Sequence, residues 1–204
     1  MLLLKVMDEW TKIMDEGDSV NVIYTDFSKA FDTVPHGRLI SKLSGYGIRG
    51  KMLTWIGEFL KDRKQRVVVQ GEASSWEWVK SGVPQGSVLG PILFLIYIND
   101  ITEGIKSEAY LFADDMKLFS RVVDIHSSMV LQNDLDIVMR WTKKWLLSLN
   151  IGKCKVLAMG KGAGSFDYEV DIVSGRVRLE RSALERDLGD QVDSELTFQE
   201  HIWG

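Results

Sequence analysis

Cysteine, proline and long apolar runs are scarce in this 204-residue chain. The single cysteine, Cys154, excludes an intramolecular disulfide framework and a zinc site built on cysteines. Three prolines and 45% hydrophobic residues exclude a collagen-like or disordered composition. The longest apolar run, residues 88–98, has 11 residues, whereas a membrane span needs about 20. We expect one ordinary globular domain, or one domain with a small appendage.

Signals for export are missing as well. None of the four asparagines begins an Asn-x-Ser/Thr glycosylation site, so nothing indicates secretion. The apolar residues 2–4 are followed at once by Lys5 and then by two acids, which does not fit a signal peptide. We therefore expect a soluble intracellular chain with no membrane partner.

The net charge of −4 hides an uneven distribution of charged residues. Residues 37–66, the basic block, contain eight lysines and arginines and only two acids, which leaves the rest of the chain strongly acidic. A basic segment beside an acidic remainder is typical of a protein that holds a polyanion on one side and a cation on the other. A solvated helix face explains the same charges equally well, so charge alone does not decide.

Short β-branched runs alternate with amphipathic segments along the chain. The pattern predicts strands at residues 21–26, 109–113, 116–122 and 154–159. It predicts helices at residues 35–45, 50–60, 91–101 and 127–147, of which 91–101 is apolar all round and expected to be buried. Hairpins are predicted at residues 65–80 and 168–179. Short strands interleaved with helices predict an α+β fold with an antiparallel sheet.

Three aspartates adjoin the predicted strands. Asp26 ends the first strand, and Asp114 and Asp115 lie between the next two. Adjacent carboxylates repel each other, and a hard divalent cation such as Mg²⁺ relieves that repulsion while leaving positions open for phosphate oxygens. Carboxylates from two strand segments would suit a two-metal site. A solvated Asp-Asp turn with an unrelated Asp26 is the simpler alternative, and the aspartates taken alone favour it.

Two further segments carry weaker signals. Residues 81–90 (SGVPQGSVLG) form a glycine-rich loop that would let backbone N–H groups approach a ligand, although for the loop taken alone a plain turn is the favoured explanation. Trp76 and Trp78 alternate on a predicted strand. They are able to stack on nucleic-acid bases, but packing across the hairpin is the favoured interpretation.

Four segments, taken together and in order, resemble the reverse transcriptase domain of non-LTR (LINE-type) retrotransposons, in particular the jockey-like group. Motif A resembles residues 24–36 (YTDFSKAFDTVPH), and motif B resembles residues 81–91 with the apolar run that follows. Motif C resembles residues 112–115 (FADD). Motif D resembles the helix around Trp141 followed by residues 150–155 (NIGKCK). Four ordered motifs are far more specific than any single one.

The resemblance implies a fold and a division of the chain. The fold is a right-hand polymerase palm of the α+β class, with an antiparallel sheet and packed helices, part of the fingers and no complete thumb. The implied segments are a palm entry with motif A (1–35), partial fingers (36–80), a palm core with motifs B, C and D (81–159), and a truncated primer-grip-like region (160–204). The basic block then lies in the fingers, near the template strand.

The resemblance also implies an RNA-directed DNA polymerase that transfers nucleotides to a primer 3′-OH by a two-metal mechanism. The implied partners are an RNA template, a DNA primer and dNTPs, and the implied location is the nucleus. Asp26, Asp114 and Asp115 match the catalytic, metal-binding aspartates, and Phe27 joins the implied metal set. Two Mg²⁺ ions are expected, with Mn²⁺ as a substitute.

Further residues match positions around the incoming nucleotide. Phe31 matches the aromatic residue that excludes a ribose 2′-OH, with plain core packing as the alternative. Lys153 matches the lysine that assists proton transfer to pyrophosphate, although Lys155 lies close by. The other residues implied for the nucleotide pocket are Ala30, Gln85 and Gly86.

The sequence departs from the family's pattern in several places. The finger motifs and endonuclease domain that precede motif A in the family are missing, and the chain ends before a thumb. Residues 186–189 (RDLG) resemble the primer grip, but Asp190 follows where an apolar residue is usual, and Met116 replaces a usual threonine. These departures predict a palm fragment. The alternative is a catalytically inactive remnant that acts at most as a nucleic-acid-binding or interaction module.

Overall fold

Six helices are present in the part of the chain that the computed structural model describes, residues 2–161 and 166–196, with side chains from Leu4 onward. They are α1 (Leu2–Asp15), α2 (Ala30–Thr33), α3 (His36–Gly45), α4 (Gly50–Leu60), α5 (Leu89–Ile98) and α6 (Ile125–Trp145). The four predicted helices correspond to α3, α4, α5 and α6, and each starts within two residues of its predicted position. The sequence did not predict α1 and α2.

Two strands have eight residues each, and the others are shorter. They are β1 (Ser19–Asp26), β2 (Lys64–Gln65), β3 (Val68–Val69), β4 (Glu72–Ala73), β5 (Glu77–Trp78), β6 (Glu108–Phe112), β7 (Asp115–Val122), β8 (Lys155–Met159), β9 (Glu169–Ile172), β10 (Gly175–Arg178), β11 (Glu180–Ser182), β12 (Leu184–Asp187) and β13 (Asp190–Asp193). Both predicted hairpins are confirmed, the first as two short ladders, β2–β5 and β3–β4, and the second as β9–β10. The predicted primer-grip-like region includes residues 162–165 and 197–204, which lie outside the described residues.

A five-stranded sheet in the order β11-β8-β1-β7-β6 carries the carboxylates. Its pairs β6–β7, β7–β1 and β1–β8 are antiparallel, as predicted. The edge strand β11 instead runs parallel to β8. A parallel neighbour needs a crossover of a dozen or more residues, and residues 160–179 supply that length.

The chain divides into two compact units. The first unit takes residues up to Asp26, Thr102–Trp141 and the residues from Leu149 onward, and it contains the five-stranded sheet. The second unit takes Phe27–Ile101 and Thr142–Ser148 and contains α2 to α5. Neither unit is continuous in sequence, so sequence order alone does not reveal the division.

The core of the first unit lies between α1 and one face of the sheet. Val6 and Trp10 of α1 are fully buried, and the Trp10 ring packs edge-on against Phe119 at 5.5 Å between centroids. Val20 and Val22 of β1 belong to the same cluster. Because side chains alternate along a strand, Tyr24 and then Asp26 follow these valines on that face. The face is therefore apolar at one end and polar where β1 ends.

Lys42 belongs to the basic block but lies in the core of the second unit. Its side chain is 4% exposed, its ammonium group donates to the Tyr97 carbonyl, and it forms an ion pair with Asp100. The same ammonium group lies 4.1 Å from the centroid of the Trp145 ring. Lys42 is thus unavailable to a polyanion, and the expectation that the whole block faces nucleic acid is wrong at this residue.

Helix α5 is buried on one face only. Leu93, Phe94 and Tyr97 are at most 1% exposed, whereas Ile92 and Leu95 are about half exposed. The prediction of a helix buried all round is therefore wrong, because α5 packs against α2 and α3 on one side. In the described ranges, no helix has the length and apolar character that crossing a membrane requires.

Candidate active site

Asp26 and Asp115 lie directly opposite each other on neighbouring strands. Asp26 is the last residue of β1 and Asp115 the first of β7, and the antiparallel register pairs them. The Cβ atoms of opposed residues in such a pair are about 5 Å apart. The fold therefore places two carboxylates from distant parts of the sequence at one end of the sheet.

Asp114 occupies the tight turn between β6 and β7. Phe112 pairs with Asp115, which leaves only Ala113 and Asp114 to turn the chain. Ala113 has φ +54°, a left-handed conformation that is unfavourable for a residue with a Cβ, by about 1–3 kcal/mol. The sequence placed both aspartates between the strands, but Asp115 is already a strand residue. Its side chain consequently projects on the sheet face that Asp26 shares.

The environment of Asp115 disfavours its charged form. Burial raises the pKa of its carboxyl, and the neighbouring charges of Asp114, Asp26 and Asp187 raise it further, while Lys117 opposes them. Crowded carboxylates of this kind are stabilised by a cation that binds between them.

The donor atoms suit a hard divalent cation, which prefers carboxylate oxygens. Within residues 2–161 and 166–196, however, no three acidic, histidine or cysteine side chains gather into a preformed metal-binding group. The opposed pair Asp26 and Asp115, with Asp114 beside it in the turn, is the arrangement present. The fit therefore rests on the donor chemistry and on the burial and mutual repulsion that raise the pKa of Asp115.

Lys153 adds a cation to the carboxylate end of the sheet. Its ammonium nitrogen lies 3.6 Å from a carboxylate oxygen of Asp26, and its side chain is 67% exposed. The backbone holds this turn in place, because the Asn150 N–H donates to the Asp26 carbonyl at 2.7 Å. Lys155 instead pairs with Glu180 at 2.5 Å. Of the two candidate lysines, Lys153 is the one beside Asp26.

A buried network that the sequence analysis did not find lies behind the carboxylates. Lys117 and Asp187 form an ion pair with both side chains less than a tenth exposed. The Tyr24 hydroxyl donates to the same Asp187 carboxylate at 3.4 Å. Burial and the charge of Asp187 raise the pKa of Tyr24. Lys117 stands two residues after Asp115 on β7, and Tyr24 two before Asp26 on β1, so strand alternation offered a signal for this shared face.

A cavity of about 210 Å³ opens over these side chains. Its lining brings together Asp26, Asp115, Lys153, Lys117 and Asp187. The first unit thus gathers three of the four predicted catalytic residues around one cavity, with a buried ion pair as its support.

The two positions that depart from the family's pattern have simple environments. Met116 is 2% exposed and follows Asp115 on a strand, so its side chain faces away from the carboxylates. Asp190 starts β13, directly after a tight turn at Leu188 and Gly189, which both have positive φ. Asp190 is half-buried and is not without an interaction partner.

In the second unit, the glycine-rich loop is fixed against the C-terminal part of motif A. The Gly82 N–H donates to the Val34 carbonyl at 2.8 Å, and the Val83 N–H donates to the Phe31 carbonyl at 2.7 Å. Gly82 has φ +89°, and a Cβ there would lie 2.7 Å from the Asp32 backbone. Only glycine allows this close approach.

The residues predicted for the nucleotide pocket have different exposures. Phe31 is half-buried, and its ring stacks on that of Phe94 at 4.4 Å between centroids. Gln85 is exposed and donates its amide N–H to the Asp32 carboxylate at 3.0 Å. Gly86 is exposed, whereas Ala30 and the implied metal-set residue Phe27 are at most 4% exposed. The predicted site residues thus divide into two sets, one in each unit.

Comparison of the sequence with known proteins gives a consistent result. The profile of the family described as "Reverse transcriptase (RNA-dependent DNA polymerase)" matches residues 5–184. The RNA-directed DNA polymerase from mobile element jockey of Drosophila funebris is 29% identical over 98% of this chain and 22% of its own length. Its counterpart from Drosophila melanogaster is 30% identical over 88% of this chain and 20% of its own length. The chain spans about a fifth of the length of these curated relatives.

Solved structures agree on the fold. Apo telomerase from Candida tropicalis matches with a TM-score of 0.60 at 12% identity, over 96% of this chain and 35% of that chain. Telomerase from the same organism in complex with a fragment of telomeric RNA matches with a TM-score of 0.57 at 14% identity, over 96% of this chain and 32% of that chain. At such identity the likeness shows an α+β polymerase fold. The family match covers most of the sequence, and this chain therefore belongs to the reverse transcriptase family.

Proposed function

We propose that this chain carries the catalytic palm of an RNA-directed DNA polymerase, which extends a DNA primer on an RNA template with dNTPs. The observation that carries the proposal is the opposition of Asp26 and Asp115 at the end of the sheet. The family membership and the raised pKa of Asp115 support it. In this proposal the five-stranded sheet belongs to the palm, and α3, α4 and the hairpin β2–β5 belong to the fingers.

Reverse transcriptases depend on divalent metal ions, and Asp26, Asp114 and Asp115 are the residues proposed to hold them here, with Phe27 beside Asp26. When bound, two Mg²⁺ ions offset the negative charge that develops during attack of the primer 3′-OH on the α-phosphate. The residues of the chain then contribute by positioning and by local charge. Asp115 is suited to this role because its own environment penalises its charge in the absence of a cation.

Lys153 is the proposed proton source for the leaving pyrophosphate. Its flexible, exposed side chain keeps the ammonium group 3.6 Å from the Asp26 carboxylate, at the edge of the cavity. A lysine held there brings a positive charge and a transferable proton to the place where the leaving oxygens become negative.

Phe31 is the proposed residue that selects deoxynucleotides. One side of its ring is fixed by stacking on Phe94, and the ring remains partly exposed. A rigid ring that cannot hydrogen-bond a hydroxyl excludes a 2′-OH both by volume and by leaving that hydroxyl without a partner. Core packing and substrate selection are compatible, because the packed side of the ring holds the exposed side in place.

Extension of a labelled primer by one nucleotide on an RNA template tests the proposal. The purified chain is compared with Asp115→Asn and with Asp8→Asn, which removes one exposed charge from α1. We expect Mg²⁺-dependent extension by the parent and by Asp8→Asn, and a loss of about a thousandfold or more for Asp115→Asn.

Absence of extension by all three folded chains would contradict the proposed activity of this chain. Salt-sensitive binding of primer–template that is indifferent to Mg²⁺ would then identify an inactive nucleic-acid-binding module.

A further inference from the structure

Residues 63–79 form an exposed two-stranded ribbon in the second unit. The ladder β2–β5 is extended by the Val79 N–H, which donates to the Arg63 carbonyl at 2.9 Å. The ladder β3–β4 is extended by the Ser74 N–H, which donates to the Val67 carbonyl at 2.9 Å. Every residue from 61 to 78 is exposed, so backbone pairing rather than a core holds the ribbon together.

One face of the ribbon combines two cations with two indole rings. Lys64 pairs directly with Trp78, and its ammonium nitrogen lies 4.1 Å from the centroid of the Trp78 ring. The Arg66 guanidinium lies 4.7 Å from the centroid of the Trp76 ring. We call these four residues the cation–indole face. Because side chains alternate, Glu77 between the two tryptophans projects on the opposite side.

The exposure of the two tryptophans does not fit residues of a core. Each is 56% exposed, and the ring contact of each is with a cation. The expected packing across the hairpin includes the cation–π pair between Lys64 and its register partner Trp78. Such a pair at an exposed site contributes only about 0.5–1 kcal/mol. Two large, exposed indole rings with positive charges beside them are suited to a ligand that is itself aromatic and anionic.

A groove of about 700 Å³ connects the foot of this ribbon with the glycine-rich loop. Its lining runs from Arg63, Lys64 and Trp78 to Pro84 and Gln85. The charged residues of this lining are four cations and one acid, namely Lys29, Arg63, Lys64, Lys80 and Asp32. The carboxylate of that acid already accepts a hydrogen bond from the Gln85 amide. The groove therefore complements a polyanion.

We propose that the cation–indole face and this groove bind an unpaired nucleic-acid strand, with bases stacked on Trp76 and Trp78 and phosphates beside Lys64 and Arg66. Indole rings stack on any base whose face is exposed, and a duplex hides those faces. A positively charged groove that follows the backbone supplies affinity without reading sequence. The assignment of this strand as the template rests on the proposed polymerase function, whereas strand binding itself does not require catalysis.

Fluorescence anisotropy with labelled 15-nucleotide strands tests the proposal. The full chain is titrated in EDTA without dNTPs, against an RNA strand, a DNA strand of the same sequence and a duplex. We expect either strand to bind more tightly than the duplex. Trp76→Ala with Trp78→Ala should weaken strand binding by at least about fivefold for each base that loses its stacking partner.

Matched variants control for the loss of a tryptophan and of charge. Trp55→Ala removes an equally exposed tryptophan from α4 and should bind as the parent does. Replacing Lys64 and Arg66 with alanine should make the dependence of log affinity on log salt shallower by about 1.4, since each phosphate contact to a single strand contributes about 0.7. Replacing Arg49 and Lys51, two exposed cations outside the ribbon, should change the slope less.

The outcomes separate this proposal from the proposed function. Strand binding that needs the ribbon but persists in Asp115→Asn supports the proposal even if no primer is extended. The affinities of the parent and the ribbon variants are compared for the RNA strand and for the DNA strand. The strand whose affinity falls more in the ribbon variants is the one that the ribbon prefers. Parental affinity in the ribbon variants, an equal loss in Trp55→Ala, or equal affinity for the duplex would overturn the proposal. Circular dichroism of each variant confirms that it is folded.

Discussion

Asp26 and Asp115 are register partners at the junction of β1 and β7, so backbone pairing sets the separation of their carboxylates. An antiparallel pair holds opposed residues about 5 Å apart at Cβ without help from their side chains. The repulsion between the two carboxylates is therefore built into the sheet, and it contributes to the raised pKa of Asp115. A site of this kind gains stability when a cation binds.

The raised pKa predicts how pH affects stability in the absence of metal. Asp115 binds protons more tightly in the folded than in the unfolded chain, so its effect on stability is most favourable below the ordinary pKa and becomes unfavourable as pH rises through the folded pKa. Asp115→Asn should therefore raise the free energy of unfolding at pH 7 and change it little at pH 3. Urea denaturation in EDTA at both values measures this difference. A variant less stable than the parent at pH 7 would contradict the charge-crowding account.

The buried pair of Lys117 and Asp187 predicts a double-mutant result. Lys117→Met alone leaves the Asp187 carboxylate buried without its cation, which should lower the free energy of unfolding by about 3–5 kcal/mol. Adding Asp187→Leu should restore part of that loss, because two apolar side chains need no partner, whereas the Tyr24 hydroxyl loses its acceptor. Arg121→Met, which breaks exposed pairs with Glu16 and Asp18, should have a much smaller effect. Equal losses from the buried and the exposed pair would show that the network does not support the site.

Replacing Gly82 should have a steric cost in addition to backbone strain. A second glycine, Gly47, allows the two costs to be separated. Gly47 has the same φ of +89°, but a Cβ added there would meet nothing within 4 Å, so Gly47→Ala measures backbone strain alone. Gly82→Ala adds a clash with the Asp32 backbone at 2.7 Å. It should therefore cost more stability than Gly47→Ala and should reduce nucleotide binding. Thermal unfolding of both variants makes the comparison, and equal losses would mean that the loop is not held as described.

Phe31 predicts a change in sugar selectivity. Phe31→Val should lower the ratio of kcat/KM for a dNTP to that for the matching rNTP by about tenfold or more, because a smaller side chain leaves room for a 2′-OH. Phe59→Val is the matched control, since Phe59 is another half-buried, stacked phenylalanine of the second unit. Single-nucleotide incorporation assays give both ratios. An unchanged ratio for Phe31→Val would leave core packing as the role of this ring.

Local patterns were sufficient to predict β1, β6, β7, β8, the two hairpins and four helices. The run from Val22 to Thr25 is β-branched and aromatic, and the apolar stripes of α4 and α6 follow the helical period. The stripe of α1, with Val6 and Trp10 on one face, has the same period and was available in the sequence.

The rest depends on pairing between distant segments. A hairpin turn without glycine gave no sign that Ala113 adopts a left-handed conformation, so the register that makes Asp115 a strand residue was not predicted. Lys42 resembles any other exposed cation until Asp100 and Trp145 are placed around it. The parallel strand β11 was likewise not predicted, because its pairing with β8 joins segments that are distant in sequence. Motif order identified the family, but these contacts are tertiary.

Binding of Mn²⁺, followed by electron paramagnetic resonance of the free ion, tests the central claim most directly. Saturable binding by the parent and by Asp8→Asn, with a loss of at least about tenfold in affinity for Asp26→Asn and for Asp115→Asn, is the predicted result. It does not depend on catalysis by this chain. Equal Mn²⁺ affinity in all four proteins would contradict the claim that the opposed carboxylates form the metal site.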